Sequence, residues 1–416
     1  MLIKNIQIEN YKGISKLTLN PKKINILVGK NNTSKTSVLE AIDLLFHNER
    51  IRRNMSSYFN IYSEERTIKI NAQINEKKMD LKIREAKESE IMNKFSHDVI
   101  ESFLQQLSEL SKTKYSKNIA KGLENIVVIN IDEELKKYLT KNSLFLTNGK
   151  EEDIIYHLSY GMSDEIKLLI ENVTNYMLEK LLPELFPDKQ KDEFSKYLKI
   201  ASRNVVYSFS DILGWQKRKI NKKEDVFFIR SLVGNEIGSH FIRRSPEDSV
   251  RMNKIEKIAK EEKLIGNLDR LDFDNAVFST PHGLGGHPFS FLGDGFKAMI
   301  RLLWELSSDK INKSILLLDE PETHMHPGYI KELIKFIINF SKKLDIQVFI
   351  TTHSPDILDI LLSTDDLEEE EQKYLKDELR IFRMNKIEES ISMVGAFDYE
   401  QAKETKKDLL LDLRGV

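Results

Sequence analysis

The chain contains no cysteine, so disulfides, thiolate zinc sites and cysteine nucleophiles are excluded. Proline and glycine are sparse, 9 and 17 among 416 residues, which excludes collagenous and low-complexity classes. Neither sign of charge dominates: 64 Lys and Arg stand against 66 Asp and Glu, a net charge of −2. That balance argues against a histone-like or polybasic protein and leaves room for a local basic groove. No stretch approaches the roughly 18 apolar residues that a membrane helix needs. The longest apolar runs are as short as Ile315 to Leu318. The opening MLIKNIQIENYKGI alternates like a strand and lacks the apolar centre of a signal peptide. A cytoplasmic protein with no membrane partner is expected. What is present is material for real cores, 40% hydrophobic against 31% charged residues, in a length that suggests two or three domains.

Near the N-terminus Ile24 to Val28 forms a short apolar run of buried-strand type, ending at Gly29 and the loop KNNTSK. A helical pattern follows from Ser37 to Phe46, with Val38, Ile42 and Leu45 on one face. Residues 67 to 83 alternate and read as a hairpin or two edge strands. From about 85 to 215 the helical period dominates, as in Ile100, Phe103, Leu104, Leu107 and Leu110, without a heptad long enough for an extended coiled coil. The region from 216 to 270 is mixed. From about 286 the chain reads loop, helix (Phe296 to Leu306), strand (Ser314 to Leu318), helix (Ile330 to Phe340) and strand (Val348 to Ile350). Continuous apolar strands alternating with helices imply a parallel sheet covered on both faces. The expected organisation is an α/β domain in two pieces, 1–84 and 271–416, split by a largely helical insert at 85–270.

Four motifs carry chemistry. Gly29-Lys30-Asn31-Asn32-Thr33-Ser34-Lys35-Thr36 matches the phosphate loop G-x-x-x-x-G-K-[ST] except that Ser34 replaces the second glycine. Such a loop turns backbone N–H groups toward phosphate oxygens at a helix N-terminus. Lys35 would reach the β- and γ-phosphates and the Thr36 hydroxyl would ligate Mg²⁺. A left-handed backbone at Ser34 would cost roughly 1–2 kcal/mol. The plainer alternative is a polar strand-to-helix loop capped by Thr33 or Ser34. Second, the run Ile315 to Leu318 delivers Asp319 and Glu320 at a strand's C-terminal end, where ligands bind in open α/β sheets. Asp319 would hold Mg²⁺ and Glu320 would act as general base toward the attacking water; a plain strand end before a helix cap is the alternative. Third, His353 follows the apolar strand ending in Thr351-Thr352, placed to meet a γ-phosphate or to be merely structural. Fourth, Ser290-Phe291-Leu292-Gly293-Asp294-Gly295 opens a helix, as a second anion-receptive N-terminus or a simple turn.

In this order, GKNNTSKTS, HPFSFLGDGFKAM, ILLLDEPETHMHP and ITTHSPDIL resemble the ABC-type ATPases of the structural-maintenance-of-chromosomes (SMC) and RecF-like branch. More closely, the set resembles the ATPase part of OLD (overcoming lysogenization defect) proteins and of the Septu, PARIS and Gabija anti-phage systems. IKNIQIENYKGI is similar to that family's first strand, and Asp412 to Gly415 to its tails. The resemblance implies an ABC-type head with an antiparallel lobe on a mostly parallel sheet. It implies that Gly29, Asn31, Asn32, Thr33, Ser34, Lys35, Thr36 and Ser37 wrap ATP, that Thr36 and Asp319 serve Mg²⁺, and that Glu320, His353 and Lys35 are catalytic. Pro321 to His324 would be the D-loop. Leu292, Gly293 and Gly295 would be the signature loop, contacting the γ-phosphate bound to a second subunit. A homodimer or higher homo-oligomer follows, with ATP as glue, as does a switch acting on a separate effector, a nuclease or toxin, in antiviral defence. The chain departs from the pattern at Ser34 and at Leu292, where serine is usual. Gln73 is a weak candidate for the Q-loop, and the stretch at Tyr11 and Lys12 for the adenine.

Other features have plainer readings. The acidic run Asp365, Asp366 and Glu368 to Glu371 reads as a solvated loop. His282, His287, His324 and His326 are not expected to bind metal. Only 63 residues follow His353, which reads as too short for the Toprim nuclease domain of OLD proteins, so no built-in nuclease is expected. Arg50 to Arg53, Trp215 to Lys223 and Arg243-Arg244 could touch nucleic-acid phosphates or be solvated faces. The insert is expected to serve dimerisation or partner docking. Two alternatives to the ATPase switch stay open: an ATP-gated scaffold with little turnover, motivated by Ser34, and a RecF-like DNA-repair ATPase.

Overall fold

A computed structural model describes residues 1–47, 55–112, 117–148, 151–156, 163–181, 191–210, 226–230, 246–307, 311–323, 325–363, 367–387 and 390–406. The chain forms two compact units, one of residues 1–50, 59–80 and 221–416, the other of 51–58 and 81–220.

The first unit opens with strands β1 (Ile3–Tyr11), β2 (Ile14–Leu19) and β3 (Ile24–Val28), helix α1 (Lys35–Phe46) and β4 (Thr67–Ile74). β5 (Lys77–Glu85) carries the chain into the second unit, which contains α2 (Glu88–Ser111), α3 (Lys117–Asn130), α4 (Glu133–Lys141), β6 (Ser143–Asn148), β7 (Glu151–Tyr156), α5 (Ser163–Tyr176) and α6 (Lys191–Ser210). The first unit resumes with β8 (Val226–Ile229), α7 (Pro246–Glu261), β9 (Leu268–Leu271), β10 (Asn275–Thr280) and β11 (Gly283–Pro288). It continues through α8 (Asp294–Leu306), β12 (Ile315–Asp319), α9 (Pro327–Leu344), β13 (Gln347–Thr352), α10 (Pro355–Leu361), α11 (Glu369–Glu378), β14 (Leu379–Ile387), β15 (Ser390–Phe397) and α12 (Tyr399–Glu404).

The main sheet of the first unit runs β4-β1-β2-β15-β14-β3-β13-β12-β8. β8, β12, β13, β3 and β14 are parallel, whereas β4, β1 and β2 are antiparallel, so a parallel sheet with an antiparallel lobe is what forms. β3, β12 and β13 are buried at every residue, as strands covered on both faces must be. Their side chains join α7 to α10 in one core, with Ile26, Leu318, Ile350, Met299, Leu303 and Leu333 at its centre. Two buried amides replace apolar contacts there. Gln347 exchanges hydrogen bonds with Ile3 N and O (2.7 and 3.0 Å) and donates to Lys22 O, and Asn25 donates to Val348 O at 3.0 Å.

The second unit has its own core, built on Phe95, Phe103 and Leu107 of α2 with Leu123, Ile170 and Leu198. The 3.6-residue period is legible there, but β6 and β7, which extend an antiparallel ladder from β5, lie within the segment expected to be mainly helical. The expected boundary at 270 also differs from the observed one. Met252, Ile255 and Ala259 of α7 bury into the first unit's core with Leu268 and Ala276, so the residues from Asn221 on group with that unit. The acidic run is not a loop where it is described. Glu368 precedes α11 and its N–H donates to Glu371 Oε2 (2.9 Å), while Glu371 is buried and accepts from Asn339 Nδ2 (2.9 Å). Carboxylates suit that end because the helix dipole is positive there. Among the described residues no helix is long and apolar enough to cross a membrane.

Candidate active site

The site forms where β3, β12 and β13 end side by side in the parallel sheet. At the end of β3, Gly29 takes φ 152°, and a Cβ there would lie 2.2 Å from the carbonyl oxygen of Met384 on β14. This glycine is required sterically. Asn32 (φ 62°) and Ser34 (φ 55°, ψ 27°) are both left-handed, so the conformation that a second glycine would ease is carried by a serine. The Ser34 side chain caps nothing, and Thr33 Oγ1 donates instead to Lys30 O at 2.8 Å. The first N–H groups of α1 are therefore left without a side-chain acceptor, unlike those of α9 and α10, which His326 and Ser354 cap. Asn31 and Asn32 are exposed on the loop; Ser37 is half-buried on the first turn of α1.

Lys35 is buried at 4% exposure, its Nζ donating to Gly29 O (2.9 Å) and Lys30 O (3.0 Å). Burial draws its pKa down from 10.5 to about 8, against the attraction of Glu320, Asp319 and Glu322. Thr36 Oγ1 donates to Asp319 Oδ1 at 2.8 Å, and Thr351 Oγ1 to the same oxygen at 2.7 Å. Glu320 has a left-handed backbone (φ 48°), held by its N–H to Thr351 O and Oγ1, both 3.1 Å. Its carboxylate lies 3.2 Å from His353 Nε2. Burial, with the Asp319 charge adding to it, raises the Glu320 pKa above the usual carboxylate range. Burial lowers that of His353, helped by Lys35. The cluster thus sets Asp319, Glu320 and Glu322 against Lys35, an excess of negative charge in a desolvated place.

That excess suits a divalent cation. Thr36 and Asp319 offer hard oxygens at adjacent positions, the donor set that Mg²⁺ takes while keeping waters and phosphate oxygens. Among the described residues no group of three or more His, Cys, Asp or Glu side chains is placed to hold a metal ion.

Two families match the chain. One, described as an AAA domain, putative AbiEii toxin, Type IV TA system, covers residues 180–359. The other, a protein of unknown function (DUF2813), covers residues 1–75. The chain is 25% identical over 385 residues to Endonuclease GajA of Bacillus cereus, covering 82% of this chain and 54% of that one. It is 22% identical over 368 residues to an ATP/GTP phosphatase of Helicobacter pylori, covering 86% and 87%. These matches make the chain similar to ABC-type AAA ATPases, with the AAA-domain match lying over residues 180–359. The chain spans about half the length of the Bacillus relative. Among solved structures, the SMC head domain from Thermotoga maritima aligns at TM-score 0.45 and 10% identity, over 95% of this chain and 98% of that one.

The fold brings Gly29, Lys35, Thr36, Asp319, Glu320 and His353 into one cluster. Leu292, Gly293 and Gly295 lie apart from it at the start of α8. Among the described residues they make no hydrogen bond to it. Leu292 rests partly on the core, and a Cβ added to Gly293 would meet open space. Tyr11 is 1% exposed inside the core, and Lys12 pairs with Glu40, so neither presents an open ring or cation to an adenine. Gln73 is exposed on β4, opposite Asn5. Sequence reasoning gave Thr351 and Thr352 no role of their own and placed Glu322 only within the expected D-loop, not against the end of β13. The available signal was a pair of hydroxyls ending an otherwise apolar strand. Arg50 to Arg53, Trp215 to Lys223, Arg243-Arg244, His324, Asp365-Asp366 and Asp412 to Gly415 lie outside the described residues.

Proposed function

We propose that the chain binds ATP with Mg²⁺ and hydrolyses it where two copies meet, and that this cycle switches a complex containing a separate effector. The observation that carries the reading is the 2.8 Å bond from Thr36 to Asp319, two residues 283 positions apart in the chain. It unites the phosphate loop with the strand end bearing Glu320 and, through Thr351, with the strand bearing His353. The loop N–H groups and the α1 N-terminus receive the triphosphate, and the Lys35 ammonium leaves Gly29 O and Lys30 O for the terminal phosphates. Thr36 and Asp319 would hold Mg²⁺, which when bound would supply charge neutralisation at the phosphate oxygens. Glu320 orients the attacking water and takes its proton, a task suited to its raised basicity. His353, kept neutral by its surroundings, steadies Glu320 through Nε2. Leu292, Gly293 and Gly295 face outward to complete the site of a second copy. The coupling to an effector in antiviral defence rests on likeness to proteins of that kind.

The test is steady-state ATP hydrolysis by the wild type and by Glu320→Gln, alongside calorimetry with ATP and an unhydrolysable mimic. Clear wild-type turnover, lost in the variant, is expected. Equal background rates with intact binding would favour the ATP-gated scaffold, for which the left-handed Ser34 is the motivating observation. No nucleotide uptake would defeat both readings.

A further inference from the structure

The loop after β12 and the end of β13 are joined by more than the motif chemistry requires. Thr351 and Thr352 point to opposite faces of the sheet, as successive strand residues do. Thr351 holds Asp319. Thr352 Oγ1 donates to Glu322 Oε1 at 2.5 Å, and the same oxygen accepts the backbone N–H of His353 at 3.2 Å. Glu322 is 9% exposed, and its other oxygen, Oε2, is buried without a hydrogen-bond partner. Burial pushes its carboxyl above the usual range even though both bonds oppose the shift. A group so placed costs stability, so its presence calls for another reason.

We propose that Glu322 is a positioning residue: by fixing the backbone of His353 it sets the imidazole against Glu320. This inference rests on the hydrolysis reading above. His353 is tied at two points. Its N–H is bound to Glu322, and its Nε2 lies 3.2 Å from Glu320 Oε1. Glu320 is itself fixed by Thr351, and its carbonyl accepts Thr323 N at 3.1 Å. With the N–H anchored, only the side-chain torsions of His353 remain to be chosen, and few rotamers reach Glu320. Without Glu322 the strand end keeps its tie at Asp319 but loses the one at His353. The ring then drifts from the carboxylate it must steady.

The experiment compares Glu322→Ala and Glu322→Gln in the full chain. A purely structural residue would lose stability when truncated. A positioning residue loses turnover instead, because removing a buried carboxylate lacking a full set of partners leaves the melting temperature unchanged or raises it. For Glu322→Ala, kcat is expected to fall by about tenfold or more, the scale of outer-shell losses elsewhere, with KM for ATP within about threefold. Glu322→Gln keeps the Oε1 acceptor and restores most of the turnover. Thr352→Val, which deletes one of the two donors, is expected to fall between them and stands in if the alanine variant does not fold. An alanine variant within about twofold of wild-type kcat, or a glutamine variant no better than alanine, overturns the proposal. Amide exchange at His353 reads the tie without turnover. It should quicken about tenfold or more in Glu322→Ala and stay near wild type in Glu322→Gln. Unchanged exchange overturns the tie, whereas a wild type without ATPase activity sinks only the hydrolysis reading.

Discussion

Lys35 is the residue at which the conflict between folding and function is sharpest. Its ammonium is 4% exposed, and its two donated bonds go to the carbonyls of Gly29 and Lys30. The folded pKa of about 8 lies below the 10.5 of an unconstrained lysine, so the unfolded chain binds more protons between those values. Stability therefore rises with pH across that window, and the full cost of burial is present below it, on the order of 3 kcal/mol. Lys35→Met keeps the volume and removes the charge. It abandons two hydrogen bonds, worth about 1 kcal/mol each at most, so it should stabilise the fold by about 1–3 kcal/mol at pH 7. The gain should vanish by about pH 10.5, where the lysine is already largely neutral when folded. Urea unfolding at pH 7 and above pH 10 measures the pair, and calorimetry should find ATP uptake abolished. A methionine variant less stable at pH 7 would mean that the three carboxylates hold the ammonium more strongly than burial opposes it.

The strand–loop–helix element made of β3, the phosphate loop and α1 places its two special backbone positions under opposite demands. β14 runs parallel to β3, with Arg383 opposite Val28, so its next carbonyl, that of Met384, closes over Gly29. Gly29→Ala should therefore cost about 3 kcal/mol or more, or displace β14, since Ala fits neither the space nor φ 152°. At Ser34 the left-handed backbone costs a non-glycine residue roughly 1–2 kcal/mol, partly offset by the freedom a glycine would have when unfolded. Ser34→Gly should thus stabilise by about 0.5–1 kcal/mol, and a lower denaturation midpoint in that variant would count against the backbone argument. The same contrast explains what could be read in advance. β3, β12 and β13 are legible because a strand covered on both faces must be apolar at every position, and glycine and carboxylate punctuation marks their ends. β8 and β9 offer only four residues each, β10 six, and β11 is half glycine, so none shows a period long enough to detect. β14 and β15 mix charged and apolar residues, and their insertion between β2 and β3 is a tertiary choice that local pattern does not encode. In the site, Lys35 is legible from the spacing of the phosphate loop, and Asp319 and His353 from their places at the ends of apolar strands. Glu322 is not, because its role depends on an oxygen meeting a backbone N–H some thirty positions away.

For the whole molecule, the proposed chemistry is incomplete within one chain. Lys35, Glu320 and His353 converge, while the stretch proposed as the signature, Leu292 to Gly295, makes no hydrogen bond to them among the described residues. Beside that stretch the ring of Phe291 is 82% exposed. No side chain caps the N-terminus of α8, although Asp294 in its first turn, 3.5 Å from Lys297, tempers its positive field. A surface of this kind is expected to be covered by a second copy when a triphosphate supplies the bridging charge. ATP can shift that association only by its difference in affinity for the paired and single forms, typically 1–3 kcal/mol, or about 5- to 150-fold in the dimerisation constant. Glu320→Gln should trap the pair by slowing hydrolysis, so sedimentation should show a dimer that depends on ATP and is absent with ADP. Phe291→Asp in that background should return the protein to monomer, because a buried carboxylate would lack a partner in the interface. It should leave the ATP affinity of the single chain, measured at concentrations too low for pairing, within about twofold, since Phe291 lies outside the phosphate loop and the strand ends that hold the nucleotide. Equal sedimentation with and without ATP would place the signature stretch outside any nucleotide-dependent contact and leave each chain to act alone.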